Sequence, residues 1–135
     1  MSDPNKWNKN FKQRDPEGYR KHYRNWCIVN ADRRLFAVCK SKAKTGNREF
    51  SITIEWIRER LKIGICQMTG LRFDLISLGS RRMANNFAPS IDRINNDKGY
   101  TQNNCQMVVW IYNKAKGTGS HQDVVKFAKA LVRNS

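Results

Sequence analysis

Hydrophobic and polar residues alternate along residues 90–94, and this alternation is typical of a short strand. Turn-forming residues at positions 95–99 interrupt the pattern. An apolar run follows over residues 107–112 and leads into polar residues at 113–117. We interpret this stretch as a strand, a loop, a second strand and a short helix.

This order of elements places Asp92 on the first strand and Asn113 on the short helix. The two side chains could then face each other across a small gap. A carboxylate and an amide oxygen are hard ligands, and hard ligands suit Mg²⁺ or Mn²⁺. The pattern therefore makes a divalent-cation site between these elements a hypothesis.

The spacing of apolar residues also predicts a helix near the beginning of the chain. Asp15 is its expected N-cap, and Pro16 occupies the first helical position. The helix runs to Asn30, and the pattern leaves open whether it continues to Lys42 before a stop signal at residues 45–47. Residues 1–14 have no apolar period and are expected to be a mobile basic arm.

Two more helices have recognisable caps. Thr53 caps a helix that ends at Gly64, and Ser120, with Asp123 three residues later, opens the last helix with a capping box. The last helix is predicted to pack against the core. Its expected apolar face consists of Val124, Phe127, Ala128, Leu131 and Val132.

Net charge is the strongest indication of the class of partner. The chain of 135 residues has a formal net charge of +15. Residues 1–50 carry 13 Lys and Arg against 5 Asp and Glu, and residues 51–135 carry 13 against 6, so both halves are basic. This balance favours nucleic acid over a membrane as partner, although general solubility or RNA association without catalysis would also agree with it. No apolar stretch approaches the ~20 residues of a membrane span.

Cysteine usage indicates the compartment. The four cysteines, at positions 27, 39, 66 and 105, form no CxxC pair, and the N-terminus does not resemble a signal peptide. A secreted disulfide framework is therefore not expected. We expect a protein of the reducing cytoplasm, in a bacterial or phage-infected host cell.

An ordered set of residues carries a family resemblance. The set consists of Asp92-Arg93-Ile94, Gly99-Tyr100, Asn104 and Asn113-Lys114-Ala115-Lys116. It resembles the ββα-metal (HNH, His-Me finger) endonuclease core and covers the chain from about Cys66 to the C-terminus. Arg93 stands where the family usually has its catalytic His. A minority branch, which includes a rare-cutting restriction enzyme and phage HNH-like proteins, has Asp-Arg followed by Gly-Tyr.

The resemblance implies an α+β fold and a role for each residue. The fold would be a ββα-metal core over residues 66–135 with a C-terminal helix, preceded by an N-terminal helical DNA-binding part over 15–65, in one compact domain. Asp92 and Asn113 would hold Mg²⁺ or Mn²⁺, and Asn104 would brace the loop. The products would be 5′-phosphate ends of double-stranded DNA.

The position of the general base differs from the usual family pattern. Arg93 cannot serve, because its guanidinium stays protonated, but it can clamp a phosphate or lower the pKa of a neighbouring phenol. The resemblance makes Tyr100 the base. A free phenol titrates near ~10 and needs such help at neutral pH. His22 and His121 are the other bases that the chain offers, and neither stands at the family's position.

Many family members carry a zinc knuckle of two CxxC pairs. Here the corresponding positions are Cys66 with Thr69 and Val109 with Tyr112, so three of the four ligands are replaced. A structural zinc needs a closed set of Cys or His ligands. We therefore predict no structural zinc, with apolar packing by Val109, Tyr112 and Met68 in its place.

Several basic residues are candidates for DNA contacts. They are Arg33, Arg34, Lys42, Arg81, Arg82, Lys98, Lys114 and Lys116.

A homodimer is an option that the sequence leaves open. Three functions remain open: an active Mg²⁺- or Mn²⁺-dependent endonuclease, an inactive HNH-fold module that still binds nucleic acid, and an unrelated role such as an inhibitor or assembly protein.

Overall fold

A computed structural model describes residues 9–75 and 85–135. Six helices and two strands lie in these ranges. In chain order they are α1 (Lys9–Arg14), α2 (Pro16–Val29), α3 (Ala31–Thr45), α4 (Ile54–Ile63), β1 (Pro89–Arg93), β2 (Cys105–Val109), α5 (Trp110–Lys116) and α6 (His121–Arg133), with a 3₁₀ turn at Gln102–Asn104 before β2. Helix α1 thus forms within the segment expected to be a mobile arm, and residues 1–8 lie outside the described ranges.

The predicted first helix is confirmed but divided in two at Asn30. Asp15 accepts a hydrogen bond from the Gly18 amide at 2.9 Å, which is the cap that the sequence predicts. The buried Asn30 side chain donates to the Trp26 carbonyl at 2.8 Å. An Asn side chain that bonds to nearby backbone competes with the helical pattern, and the chain begins a new helix here.

The caps of α4 and α6 are confirmed. The Thr53 hydroxyl accepts a bond from the Trp56 amide at 3.2 Å, and α4 ends at Gly64 with φ 75°, a left-handed conformation that favours glycine. Ser120 and Asp123 form both halves of the predicted capping box. None of the described helices is long and apolar enough to cross a membrane.

Strands β1 and β2 form an antiparallel pair in which Asp92 lies opposite Gln106. The second predicted strand, residues 107–112, is only partly correct. Strand β2 ends at Val109, and Trp110 begins α5. An apolar run in a buried strand and one in the first turn of a buried helix have the same pattern, so periodicity alone could not place this boundary.

Two apolar clusters hold these elements together. The larger one joins α3, α4 and the sheet and includes Trp56, Ile57, Met107 and Tyr100. The smaller one consists of Cys66, Val108, Val109 and Tyr112, with Val124 of α6 packed against it. Val109 and Tyr112 therefore pack as predicted for the former knuckle positions, and the absence of zinc remains a prediction.

Two packing predictions are wrong. Met68 is 39% exposed and does not fill the smaller cluster. On α6, only Val124 packs against a cluster, whereas Phe127 is 59% exposed and Leu131 58% exposed with respect to the described residues. The sequence of α6 contains the predicted apolar stripe, but only the first turn of the helix packs against the core.

Candidate active site

The site lies where α5 packs against β1. Ser90 and Asp92 are two residues apart on β1 and share one side of the strand. Asn113 and Lys116 are three residues apart on α5 and share one face of the helix. The Asn113 amide donates to the Ser90 hydroxyl at 2.8 Å, while Lys116 reaches Asp92. The sequence prediction that Asp92 and Asn113 belong to adjacent elements therefore agrees with the fold.

Asp92 is buried and has protein partners for both oxygens. Lys116 Nζ lies 2.9 Å from Oδ1 and 3.0 Å from Oδ2, and Gln106 Nε2 donates to Oδ2 at 2.9 Å. Asp92 is 3% exposed and Lys116 4% exposed. The carboxylate charge is thus balanced inside the protein. In this conformation Lys116 is not at the surface, where a phosphate contact would need it.

The Lys116 ammonium also bonds to the backbone. Its Nζ lies 2.5 Å from the Arg93 carbonyl oxygen and 3.4 Å from that of Ile94. Four oxygen atoms therefore surround one positive charge, and we call this group of oxygens, from Asp92, Arg93 and Ile94, the oxygen cage. An oxygen-only environment suits a hard cation.

The oxygens of the cage are of the type that would hold a hard divalent cation. Asp92 already holds a cationic group, which shows that its position accepts positive charge. Asn113 donates through Nδ2 to Ser90 and to the Ile91 carbonyl at 3.2 Å. The described residues contain no group of three or more His, Cys, Asp or Glu that could hold a metal. A cation here would take few protein ligands, as Mg²⁺ commonly does.

The Tyr100 side chain is buried in the core. Its side chain belongs to the larger core cluster, and the residue is 6% exposed. The Arg93 guanidinium lies 5.3 Å from the ring centroid. Burial raises the pKa of the Tyr100 phenol above its ordinary value, and the neighbouring Cys39 adds to the rise. Arg93 acts in the opposite direction, as the sequence suggested, but burial prevails.

Arg93 holds the loop after β1. Its Nη1 atom donates to the Asn96 carbonyl at 2.6 Å and to the Lys98 carbonyl at 2.9 Å. These two bonds fold residues 94–99 back over the guanidinium. Part of the donor capacity of Arg93 is therefore used by the loop, and the guanidinium also lies beside the Tyr100 ring.

Asn104 closes the same loop from the other side. It is 7% exposed, its Oδ1 accepts from the Asn95 amide at 2.9 Å, and its Nδ2 donates to the carbonyls of Asn95 at 3.0 Å and Gly99 at 2.9 Å. One buried side chain thus satisfies three backbone groups. This is the geometry that a loop-bracing role requires.

Close packing against the Glu49 backbone requires glycine at position 99, just before Tyr100. A Cβ atom at Gly99 would lie 2.8 Å from the Glu49 amide nitrogen and closer still to the Glu49 carbonyl oxygen. The Tyr100 amide donates to that same carbonyl at 2.8 Å. The close approach of the two backbones therefore excludes a side chain at position 99.

Gly99→Ala is expected to lower the free energy of unfolding by about 1–3 kcal/mol, because the backbone of residue 49 must move. Urea denaturation measures the change. Gly46→Ala is a matched control, since Gly46 has a negative φ of −87° and ends a helix near the surface. Equal stability of the Gly99 variant and the wild type would contradict the packing argument.

The predicted DNA-contact residues divide into three groups. Most are exposed: Arg33, Arg34, Lys42, Lys98 and Lys114. Lys116 is buried at Asp92. Arg81 and Arg82 lie outside the described residues.

His121, one of the alternative bases, is engaged elsewhere. Its Nδ1 atom lies 2.9 Å from the Tyr112 hydroxyl, and this bond connects α6 to α5. His22, the other alternative, lies on α2.

Two site residues were missed by the sequence reading. Gln106 bonds to Asp92, and Ser90 bonds to Asn113. The alternation in β1 puts Ser90 on the same side as Asp92, so that signal was present in the sequence. Gln106 depends on the strand register, which the sequence pattern did not specify.

No protein-family model matches the chain, and no curated protein matches it significantly. A solved structure does. It is that of PacI, described as a rare-cutting HNH restriction endonuclease with an extraordinary mechanism of DNA perturbation. The chain has an HNH-like fold. The similarity covers 76% of this chain and 78% of the PacI chain, with a TM-score of 0.51 and 14% sequence identity. At this identity, the likeness establishes the fold and leaves the activity to be argued from the site.

Proposed function

We propose that this protein is a metal-dependent endonuclease that hydrolyses phosphodiester bonds of double-stranded DNA. One observation carries the proposal: within an HNH-like fold, α5 packs on β1 so that Asn113 bonds to Ser90 and to the carbonyl of Ile91, the residue before Asp92, while Asp92 binds the Lys116 ammonium. PacI, which has a similar fold, is a DNA-cutting enzyme by its description. The strongly basic composition agrees with a DNA substrate.

The residues would divide the chemistry as follows. Asp92 and Asn113 would hold Mg²⁺ or Mn²⁺, which when bound supplies Lewis-acid stabilisation of charge on the phosphate and the leaving oxygen. Tyr100 would accept the proton of the attacking water, aided by the positive charge of Arg93. Asn104 would keep the loop between them in place. Lys98 and Lys114, both exposed, would contact phosphates.

The raised pKa of Tyr100 has a direct consequence for this scheme. Only the phenolate can accept a proton, and burial makes the phenolate rare at neutral pH. Cleavage through Tyr100 should therefore be slow near neutrality and accelerate in alkaline solution. A cation at Asp92 would also favour the phenolate, because opposite charges stabilise each other.

A plasmid assay tests the proposal. Wild-type protein is expected to cut supercoiled DNA with Mg²⁺ or Mn²⁺ and not with EDTA. Asn113→Ala is expected to reduce cutting at least about 100-fold, since it removes a proposed metal ligand and its bond to Ser90. Asn134→Ala is a matched control at the end of α6, where the Asn side chain caps a carbonyl away from the site. Cutting that is indifferent to EDTA would reject the metal requirement.

DNA binding should be strongly salt-dependent. Arg33, Arg34 and Lys42 are exposed on α3, and each phosphate contact releases counterions. We expect affinity for a short duplex to fall at least about tenfold between 50 and 200 mM salt, measured by fluorescence anisotropy with EDTA present. Substituting all three residues by Ala should flatten the slope. An affinity that hardly changes with salt would contradict electrostatic binding.

An inactive HNH-fold module that binds nucleic acid is the second candidate. The buried Asp92–Lys116 pair favours it, because that pair completes the site without a metal. The two candidates differ in one result: the inactive module binds duplex DNA tightly but leaves duplex, branched and single-stranded substrates intact in Mg²⁺ and Mn²⁺.

We also propose a cytoplasmic location in a bacterial or phage-infected cell, since the DNA substrate lies there, and cell fractionation can test this. A homodimer would place two sites on one duplex and allow both strands to be cut. Sedimentation analysis that shows only monomers at all concentrations, with and without DNA, would reject the dimer.

A further inference from the structure

The oxygen cage around Lys116 carries an inference beyond the proposed roles. The ammonium has three N–H donors, and four oxygens lie within 3.4 Å of it: both carboxylate oxygens of Asp92 and the carbonyl oxygens of Arg93 and Ile94. Both partners of the ion pair are buried, with side-chain exposures of 2% for Lys116 and 3% for Asp92. No donor of this ammonium is left for water.

We propose that Lys116 is a tethered competitor of the divalent cation. Its ammonium occupies the oxygen cage, and a cation reaches Asp92 only when the ammonium leaves. This inference rests on the proposed metal-dependent function and adds a residue that sets how tightly the metal binds. Lys116 is thus a positioning residue that acts through Asp92.

The position of Lys116 in the helix makes its departure feasible. It is the last residue of α5, and the helix ends at Gly117 with φ 50°. No later turn of α5 follows Lys116, so its ammonium can leave the cage without unwinding a following part of the helix. The bonds that secure Asn113 to Ser90 and Ile91 involve the preceding turn, so they can persist while Lys116 moves.

The exchange also preserves charge balance. With Lys116 in the cage, Asp92 is neutralised and the fold does not depend on metal. When a cation enters, the released ammonium must reach solvent or another negative partner, because a charge left buried and unpaired is costly. A DNA phosphate beside the site is a partner of suitable charge. Cation binding in the absence of DNA is therefore expected to be weak.

Calorimetric titration with Mn²⁺, without nucleic acid, tests the competition. Lys116→Met keeps the length of the side chain and removes the ammonium. We expect it to bind Mn²⁺ at least about tenfold more tightly than the wild type, because the cation no longer displaces a competitor. The double variant Asp92→Asn with Lys116→Met lacks both charges and is expected to bind no Mn²⁺ at this site.

Thermal melting provides the second readout. Lys116→Met is expected to melt below the wild type in EDTA, and saturating Mn²⁺ should raise its melting temperature by about 5 °C or more. Wild-type protein should respond less, and the double variant not at all. If Lys116 only stabilises the fold, Mn²⁺ is not expected to restore the melting temperature of the Lys116→Met variant, although Asp92 is unaltered.

Three outcomes would overturn the inference. The first is equal Mn²⁺ affinity of the wild type and the Lys116 variant. The second is a folded Lys116 variant that ignores Mn²⁺. The third is a variant that stays unfolded with and without Mn²⁺ while the double variant folds, which would make the ion pair purely architectural. Tighter Mn²⁺ binding by the variant, together with no DNA cleavage by the wild type, would support the competition and remove the nuclease proposal.

Discussion

Asp92→Ala is expected to abolish DNA cleavage and to lower the free energy of unfolding by about 3–5 kcal/mol. The stability loss follows from Lys116, whose buried ammonium keeps only carbonyl partners when the carboxylate is removed. Gln106 also loses its acceptor. The activity loss follows from the proposed cation, which would lose its charged ligand. Urea denaturation and plasmid cleavage measure the two effects separately.

The two effects of Asp92 can be separated with a second variant. Asp92→Asn combined with Lys116→Met removes both charges of the buried pair, so much of the lost stability should return. Cleavage should not return, since an amide is a poorer cation ligand than a carboxylate. Asp97→Ala is the matched control, because Asp97 is exposed in the loop after β1, five residues beyond Asp92. Wild-type cleavage by a folded Asp92→Ala protein would exclude Asp92 from catalysis.

Tyr100→Phe is expected to slow cleavage by about 10²–10⁴-fold, the usual contribution of a positioned general base. The ring remains in the core, so stability near neutral pH should change little. The measurement is the initial rate of plasmid cleavage against pH in the wild type and the variant. Tyr19→Phe serves as the control, since Tyr19 lies on α2 outside the site.

The pH dependence has a definite sign. Because burial raises the pKa of Tyr100, the wild-type rate should rise with pH throughout the range below that pKa. The phenol's contribution to stability is fully present below the unfolded pKa and is lost as pH rises through the raised folded pKa. Tyr100→Phe should lose both the rate increase and this alkaline loss of stability. A variant that cuts at the wild-type rate at every pH would exclude Tyr100 as the base, without affecting the role of Asp92.

The second candidate function would give a different set of results. In an inactive module, Asp92→Ala would still destabilise the fold, because the Lys116 ion pair is present in either case. Tyr100→Phe would have no cleavage to reduce. Loss of stability therefore cannot distinguish the candidates, and metal-dependent cleavage by the wild type is the deciding observation.

Local signals predicted much of the secondary structure. The caps at Asp15, Thr53 and Ser120 and the stop at Gly64 were predictable, because a cap is formed by a few consecutive residues and their own backbone. The alternation in residues 90–94 likewise predicted β1. The pattern left open whether the first helix ends at Asn30, and it missed the start of α5 at Trp110, because one apolar run suits either a buried strand or a buried helix.

The ordered set of site residues determined, from the sequence by itself, which elements would meet. Asp92 and Asn113 fell on adjacent elements, and Asn104 fell where it closes the loop. Only the tertiary structure decided the environment of each group. It buried Lys116 against Asp92, placed Gln106 opposite through the strand register, and enclosed Tyr100 so that its pKa rises. Periodicity specifies the side of an element on which a residue lies, but burial and ion pairing depend on the other elements that pack against that side.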